Sequence, residues 1–175
     1  ATMSKSKGNF FTFRDLREKG YSPLAIRYML LSVPYRKQLN FTFDGLQGAE
    51  STVERLKNFR SVISNLKLVS DSNESAQTAA VKALNNFEAA MDDDFNTAAA
   101  LAAIHDMVRE VNTMIAADGL GNDDKRAVLD AISKFDSVLE IFGAEESEML
   151  AADIEALIAE RQAARKNRDF ARSDE

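Results

Sequence analysis

The sequence predicts a mainly α protein, an antiparallel helical bundle preceded by a small mixed α/β segment. Three observations carry that expectation. Apolar residues recur at spacings of three and four along most of the stretch from residue 44 to residue 142, the mark of helices with one buried face. Cap-forming and chain-breaking residues punctuate those stripes, leaving short loops between neighbours. Polar and apolar residues alternate at Asn40-Phe41-Thr42-Phe43, the pattern of a strand or an extended linker, just ahead of the long helices. At 175 residues, 45% of them hydrophobic, the chain can bury a real core as one domain with a small appendage.

Taken in order, Phe10, Phe11 and Phe13 form an aromatic patch, expected as a short extended segment entering a core. Thr12 followed by Asp15 makes an approximate capping box for a first helix, and Gly20 suits its stop. Ser22-Pro23 places an N-cap before a proline in the first turn of a second helix, expected to run through Val33 and to end at Pro34. Ala25, Ile26, Met29, Leu30 and Val33 are expected to share its apolar face, with Arg27 and Tyr28 to the side. Asp44 is the expected cap of a long helix whose stripe is Leu46, Ala49, Val53, Leu56, Phe59, Ile63 and Leu66.

Turn chemistry at Ser70-Asp71-Ser72-Asn73 separates this helix from a second long one carrying Val81, Leu84, Phe87 and Met91. That helix ends in the acidic cluster Asp92-Asp93-Asp94. Asn96 or Thr97 starts a third, with Leu101, Ile104, Met107, Val108, Val111 and Ile115 facing inward. Gly119 and Gly121 break the chain before a fourth, which is expected to bury Val128, Leu129, Ile132, Phe135, Leu139 and Phe142. A final helix is expected from about residue 153 to 168, apolar at Ile154, Leu157 and Ile158, then basic at Arg161, Arg165, Lys166 and Arg168.

Composition narrows the functional classes. No apolar run approaches a membrane span and no secretory signal pattern opens the chain, so a soluble, cytoplasmic protein with no membrane partner is expected. With no cysteine and one histidine, the chain cannot build a Cys/His metal site, and His105, set in a helical pattern, reads as a structural or surface residue. The net charge of −6 conceals a division along the chain. Residues 1–60 hold 11 Lys and Arg against 5 Asp and Glu, whereas residues 61–175 hold 11 against 23. Positive charge confined to one end suits a protein that meets a polyanion there and solvent elsewhere.

The basic third opens with Thr2-Met3-Ser4-Lys5-Ser6, followed by Lys7-Gly8-Asn9. A Ser/Lys/Gly stretch of this kind presents ammonium and hydroxyl donors to a polyphosphate, stabilising charge that develops on a leaving pyrophosphate. The same composition also describes a solvated tail. The segments behind it favour the phosphate loop.

Met3-Ser4-Lys5-Ser6-Lys7-Gly8-Asn9-Phe10 resembles the K-M-S-K-S loop of class I aminoacyl-tRNA synthetases, with Thr2 where the family carries its first lysine. Four further segments resemble the cysteinyl-tRNA synthetase family in the same order. Ser22 to Ser32, with Arg27-Tyr28, is similar to the Asp-Ala-Leu-Arg-Tyr segment, although Leu24 and Ile26 depart from it. Tyr35-Arg36 and Leu39-Asn40-Phe41 follow the family pattern. Met91-Asp92-Asp93-Asp94-Phe95-Asn96-Thr97 is the most discriminating match; its acids read as structural groups beside a helix start, in preference to catalytic ones. Leu157-Ile158 through Arg161, Ala164-Arg165 and Asp169-Phe170-Ala171 resembles the first helix of a C-terminal anticodon-recognition domain, of which residues 150–175 would be the truncated start.

The resemblance implies three parts: residues 1–43 as the phosphate loop and a stem-contact-like connector, residues 44–145 as a DALR-type helical bundle, and residues 150–175 as that third module. It implies an enzyme that activates cysteine with ATP and transfers it to tRNA(Cys), acting as a monomer. Lys5 is then the catalytic candidate for pyrophosphate contact, and Met3, Ser4, Lys5 and Ser6 form the ATP loop, with Gly8 giving the backbone freedom to move. Arg27, Arg36 and Lys37 are the candidate contacts to the tRNA backbone, Arg27 being equally suited to pairing with a carboxylate between helices. The amino-acid pocket, the histidine-rich ATP motif and the zinc that selects cysteine would lie in a part of the parent enzyme that this chain does not contain, so the chain alone is expected to be inactive. Two other readings remain: a ligase of the same superfamily that joins cysteine to a sugar amine, and a noncatalytic helical module that binds tRNA or another partner.

Overall fold

In the computed structural model, residues 10–66, 74–117 and 120–143 are described, and they fall within one compact unit. Six helices account for most of them: α1 (Phe13–Glu18), α2 (Pro23–Leu31), α3 (Phe43–Asn65), α4 (Ser75–Asp92), α5 (Thr97–Ala116) and α6 (Asn122–Leu139). No helix among the described residues is long and apolar enough to cross a membrane.

Local chemistry explains most helix ends. Thr12 and Asp15 form the full reciprocal capping box: the Thr12 amide donates to Asp15 Oδ2 at 2.6 Å, and the Asp15 amide donates to Thr12 Oγ1 at 3.2 Å. Ser22 Oγ accepts from the Ala25 amide, and Asn96 Oδ1 from the Ala99 amide. At α6 the Gly121 amide donates to Asp124 Oδ2 at 2.9 Å, which places a buried carboxylate at the positive end of the helix. Lys125 Nζ reaches across to the Ser64 and Leu66 carbonyls at 2.7 and 2.9 Å, satisfying acceptors at the end of α3.

Several expectations change. The mixed α/β segment is not found: no strand occurs among the described residues, and residues 40–42 form an extended linker. The chain there packs by side chains. Phe43 meets Phe11 edge-on at 5.0 Å and Phe41 at 5.7 Å, and it stacks on Tyr21 at 6.0 Å, with Lys19 Nζ 5.8 Å from its ring. The cap of α3 is Thr42, whose Oγ1 accepts from the Gly45 amide; Asp44 lies in the first turn. α2 stops at Leu31, two residues early, because the residue before Pro34 is pushed from the helical region. On that helix Leu30 is exposed, while Tyr28 turns inward.

The greatest change concerns α4. Val81, expected inward, is 56% exposed, and the buried face is Ala76, Ala79, Ala80, Ala83, Phe87 and Ala90. Small residues let α4 lie close to α5, its most extensive neighbour, which presents Ala100 and Ala103.

Two apolar clusters result. The larger joins α3–α6 around Leu56, Ile63, Ile104, Met107, Phe135 and Phe142, with Phe87 and Phe135 rings 5.0 Å apart. The smaller joins Leu16 of α1, Ile26 and Met29 of α2, and Leu46 and Ala49 of α3. α3 therefore serves both clusters, and Tyr28 packs on both. Lys125 meets residues 64–66, Asp136 meets Arg60, and Lys82 meets Glu110, so α3 and α6, and α4 and α5, run antiparallel.

Candidate nucleic-acid interface

Sequence reasoning placed three cations at the interface, Arg27, Arg36 and Lys37. Arg27 lies on α2, where its Nε donates to the Leu139 carbonyl at 2.6 Å and its guanidinium stands 3.3 Å from a Glu140 carboxylate oxygen. Leu139 closes α6, so Arg27 supplies a donor to a terminal carbonyl that lacks one inside the helix. Of the two roles open to Arg27, the geometry realises pairing between helices.

Arg36 lies in the link after α2. Its Nε donates to Asp94 Oδ2 at 2.5 Å and its Nη2 to Oδ1 at 3.0 Å, while the Tyr35 hydroxyl donates to the same Oδ1 at 2.8 Å. These bonds hold the Asp94 carboxyl below the usual carboxylate range, Arg36 being the larger cause and Tyr35 the smaller. Asp94, the last acid of the cluster after α4, is thus a structural group tied to the Tyr35-Arg36 link, a partnership added to the place beside the helix start that the sequence predicts. The turn that presents Asp94 is unusual, since Asp94 and Phe95 both take left-handed backbone at φ +52°. It is held by bonds from the Phe95 amide to Met91 O and from the Asn96 amide to Ala90 O. Nothing in the sequence pairs residue 36 with residue 94; only the fold brings them together.

Lys37 is exposed and has no carboxylate within ion-pair reach among the described residues. It is the candidate whose charge remains available to an outside anion.

A second cluster escaped the sequence reading in its details. The Tyr28 hydroxyl lies 2.6 Å from His105 Nε2, and both side chains are half-buried. Burial first, then the nearby Arg55, hold His105 below its ordinary value of 6.5, against a smaller opposing effect of Asp106. Burial raises Tyr28 above 10.0. The structural reading of His105 stands, and its partner is what the sequence concealed.

Met3, Ser4, Lys5 and Ser6, like the expected final helix at 153–168, lie outside the described residues. No cluster of His, Cys, Asp and Glu suited to a metal occurs among the described residues. The zinc implied for a parent enzyme does not fit this chain's own side chains, which include no cysteine and one histidine already held by Tyr28.

Comparison with known proteins adds a family to this geometry. Residues 86–144 match the DALR domain, a span that takes in the end of α4 together with α5 and α6. The chain is 41% identical to the cysteine–tRNA ligase of Koribacter versatilis over 98% of its own length and 41% of the relative's. It is 40% identical to that of Solibacter usitatus, over 99% of the chain and 38% of the relative. To that of Protochlamydia amoebophila it is 37% identical, over 99% and 36%. The chain therefore spans about two fifths of the length of the curated relatives it matches.

Proposed function

We propose, on the premise that this chain belongs to the cysteine–tRNA ligase family, that it forms the phosphate-loop and helical part of an enzyme that activates cysteine with ATP and joins it to tRNA(Cys). The observation that carries this reading is the extent of the similarity. It runs through 98–99% of the chain, well beyond the residues 86–144 that match the DALR domain. The sugar-amine ligase and the noncatalytic module are not favoured, because relatives matched along this length bear the name of the tRNA enzyme.

In this function the cysteine carboxylate attacks the α-phosphorus of ATP and pyrophosphate leaves. Lys5 would place its ammonium against the departing phosphates, with the Ser4 and Ser6 hydroxyls donating hydrogen bonds and Gly8 letting the loop close. Thr2 leaves one cation of the family pair absent. Lys37, exposed and without a carboxylate in ion-pair reach among the described residues, is the favoured tRNA contact of the original three, whereas Arg27 and Arg36 act first as ties within the fold.

The test is cysteine-dependent exchange of pyrophosphate into ATP. The chain alone should give none. Fused behind the N-terminal part of the Koribacter versatilis relative, it should support exchange, and Lys5→Ala in that fusion should lower the rate by about 10²-fold or more. A folded fusion whose exchange is indifferent to Lys5→Ala would refute the role given to the loop.

A further inference from the structure

Resting on the reading that this chain meets tRNA, we propose that the groove between α3 and α5 carries the sugar–phosphate backbone of that tRNA. The groove is a cavity of about 790 Å³. Arg55 and Asn58 line it from α3, and Arg109, Asn112 and Thr113 line it from α5. Leu56 and Phe59, buried in the bundle, form its floor.

Among the described residues no Asp or Glu lines the groove, although residues 61–175 hold 23 acids against 11 bases. Such a surface attracts an anion in a chain that otherwise repels one. Its two cations also differ from those already engaged. Arg27 and Arg36 are tied to a terminal carbonyl and to Asp94, whereas the described side-chain bond of Arg55 goes to the neutral Thr52 hydroxyl at 3.0 Å. Arg109 meets Asp106 at 2.9 Å in a pair that is 74% and 56% exposed, which water and a competing phosphate readily exchange.

The donors also form a track. His105, Arg109 and Asn112 follow one another at four- and three-residue steps on α5, covering about 10 Å of helix. Arginine, asparagine and threonine are side chains that reach phosphate and ribose oxygens without reading a base. The apolar floor offers no unpaired acceptor to a ribose face. An acidic amphipathic helix would fit the floor, but it would leave the Asn58 and Asn112 amides on the groove walls with less to bind. The donor set favours the nucleic acid.

The experiment titrates a fluorescein-labelled tRNA(Cys) transcript with the 175-residue chain over a series of KCl concentrations, read by anisotropy. Wild type should bind with an affinity that falls linearly in log salt. An Arg55→Gln/Arg109→Gln double variant should lower the steepness of that line by about 1.5 and weaken binding by about tenfold or more at low salt. Arg126→Gln, which changes an exposed α6 cation outside the groove, should leave both unchanged. Asn112→Asp adds a negative charge to the groove while keeping nearly the same shape, and should weaken binding in a chain with an unaltered melting curve. Wild-type binding with the same salt slope in the double variant would overturn the groove and leave the tRNA reading intact. No binding by wild type would overturn both. Tighter capture of a glutamate-rich helical peptide than of tRNA, lost in the double variant, would assign the groove to a protein and overturn the proposal.

Discussion

The Tyr28 hydroxyl and His105 Nε2, 2.6 Å apart, join α2 to α5 at the place where the two apolar clusters meet. The bond adds a contact between half-buried rings to the ties that Arg27 makes to Leu139 and Arg36 to Asp94. Removing either partner should therefore loosen the join more than it disturbs either core. Tyr28→Phe is expected to destabilise the chain by about 1–2 kcal/mol, from one lost bond and one half-buried nitrogen left without it. Urea unfolding of the variant measures this directly, and an unchanged midpoint would show that the bond contributes nothing.

His105 also sets a pH window. Its folded value lies below 6.5, so between the two values the unfolded chain binds more protons than the native one. Stability is full above 6.5 and declines as pH falls below it through the folded value. Asp15 and Asp94, both held below 3.8, act only in more acid solution, where they lose their stabilising charge. His105→Gln, which keeps a partner for Tyr28, is expected to flatten the pH dependence of the urea midpoint just below pH 6.5 while leaving the acid limb intact. The same slope in the variant would assign the window to other groups.

Asp136 is a stronger structural point than its surface position suggests. Its Oδ1 accepts from the Ile141 and Phe142 amides at 2.8 and 2.9 Å, and its other oxygen lies 3.6 Å from Arg60, which donates to the Gly143 carbonyl at 2.8 Å. These bonds fold the end of α6 back over the core, burying Ile141 and Phe142. Asp136→Ala is expected to cost about 2–4 kcal/mol, because two backbone donors lose a charged acceptor together. Arg60→Ala should cost less, and a thermal-melt comparison of the two orders them.

Phe95 holds left-handed backbone, and the residue is 63% exposed. Phe95→Gly removes the backbone strain at small cost in burial, so it is expected to raise stability by up to about 1 kcal/mol. A lowered melting midpoint would mean that the ring is held by packing after all. For the adjoining link, Asp94→Asn should free Arg36 and tighten tRNA binding if Arg36 is a contact, whereas Arg36→Gln should then weaken it. Anisotropy in low salt separates these outcomes.

Much of the helical order was legible in the sequence because caps and apolar spacing are local. Thr12 with Asp15, Ser22 before Pro23, and the stripe Leu46, Ala49, Val53, Leu56, Phe59 and Ile63 behave as their spacing requires. The face of α4 was misread because alanine signals helix propensity and a close-packed interface alike, and the larger Val81 outweighed Ala79 and Ala83 on hydropathy. Thr42 was passed over for Asp44 because both are good caps two residues apart. The charge of Arg27 and Arg36 was legible, but their partners Leu139 and Asp94 lie 112 and 58 residues away. Side-chain pairing over such separations is set by the fold, and so is the groove that brings Arg55 and Arg109 to one surface. The Met3-Ser4-Lys5-Ser6 reading rests on residue identities alone, since those residues lie outside the described ones.

The decisive measurement is transfer of cysteine by the fusion of this chain behind the N-terminal part of the Koribacter versatilis relative. With ATP and labelled cysteine, the fusion is expected to form cysteinyl-tRNA(Cys), and the reaction should weaken with Lys5→Ala at activation and with Arg55→Gln/Arg109→Gln at tRNA binding. A folded fusion that forms the adenylate yet charges no tRNA, or passes cysteine to a sugar amine instead, would contradict the assignment.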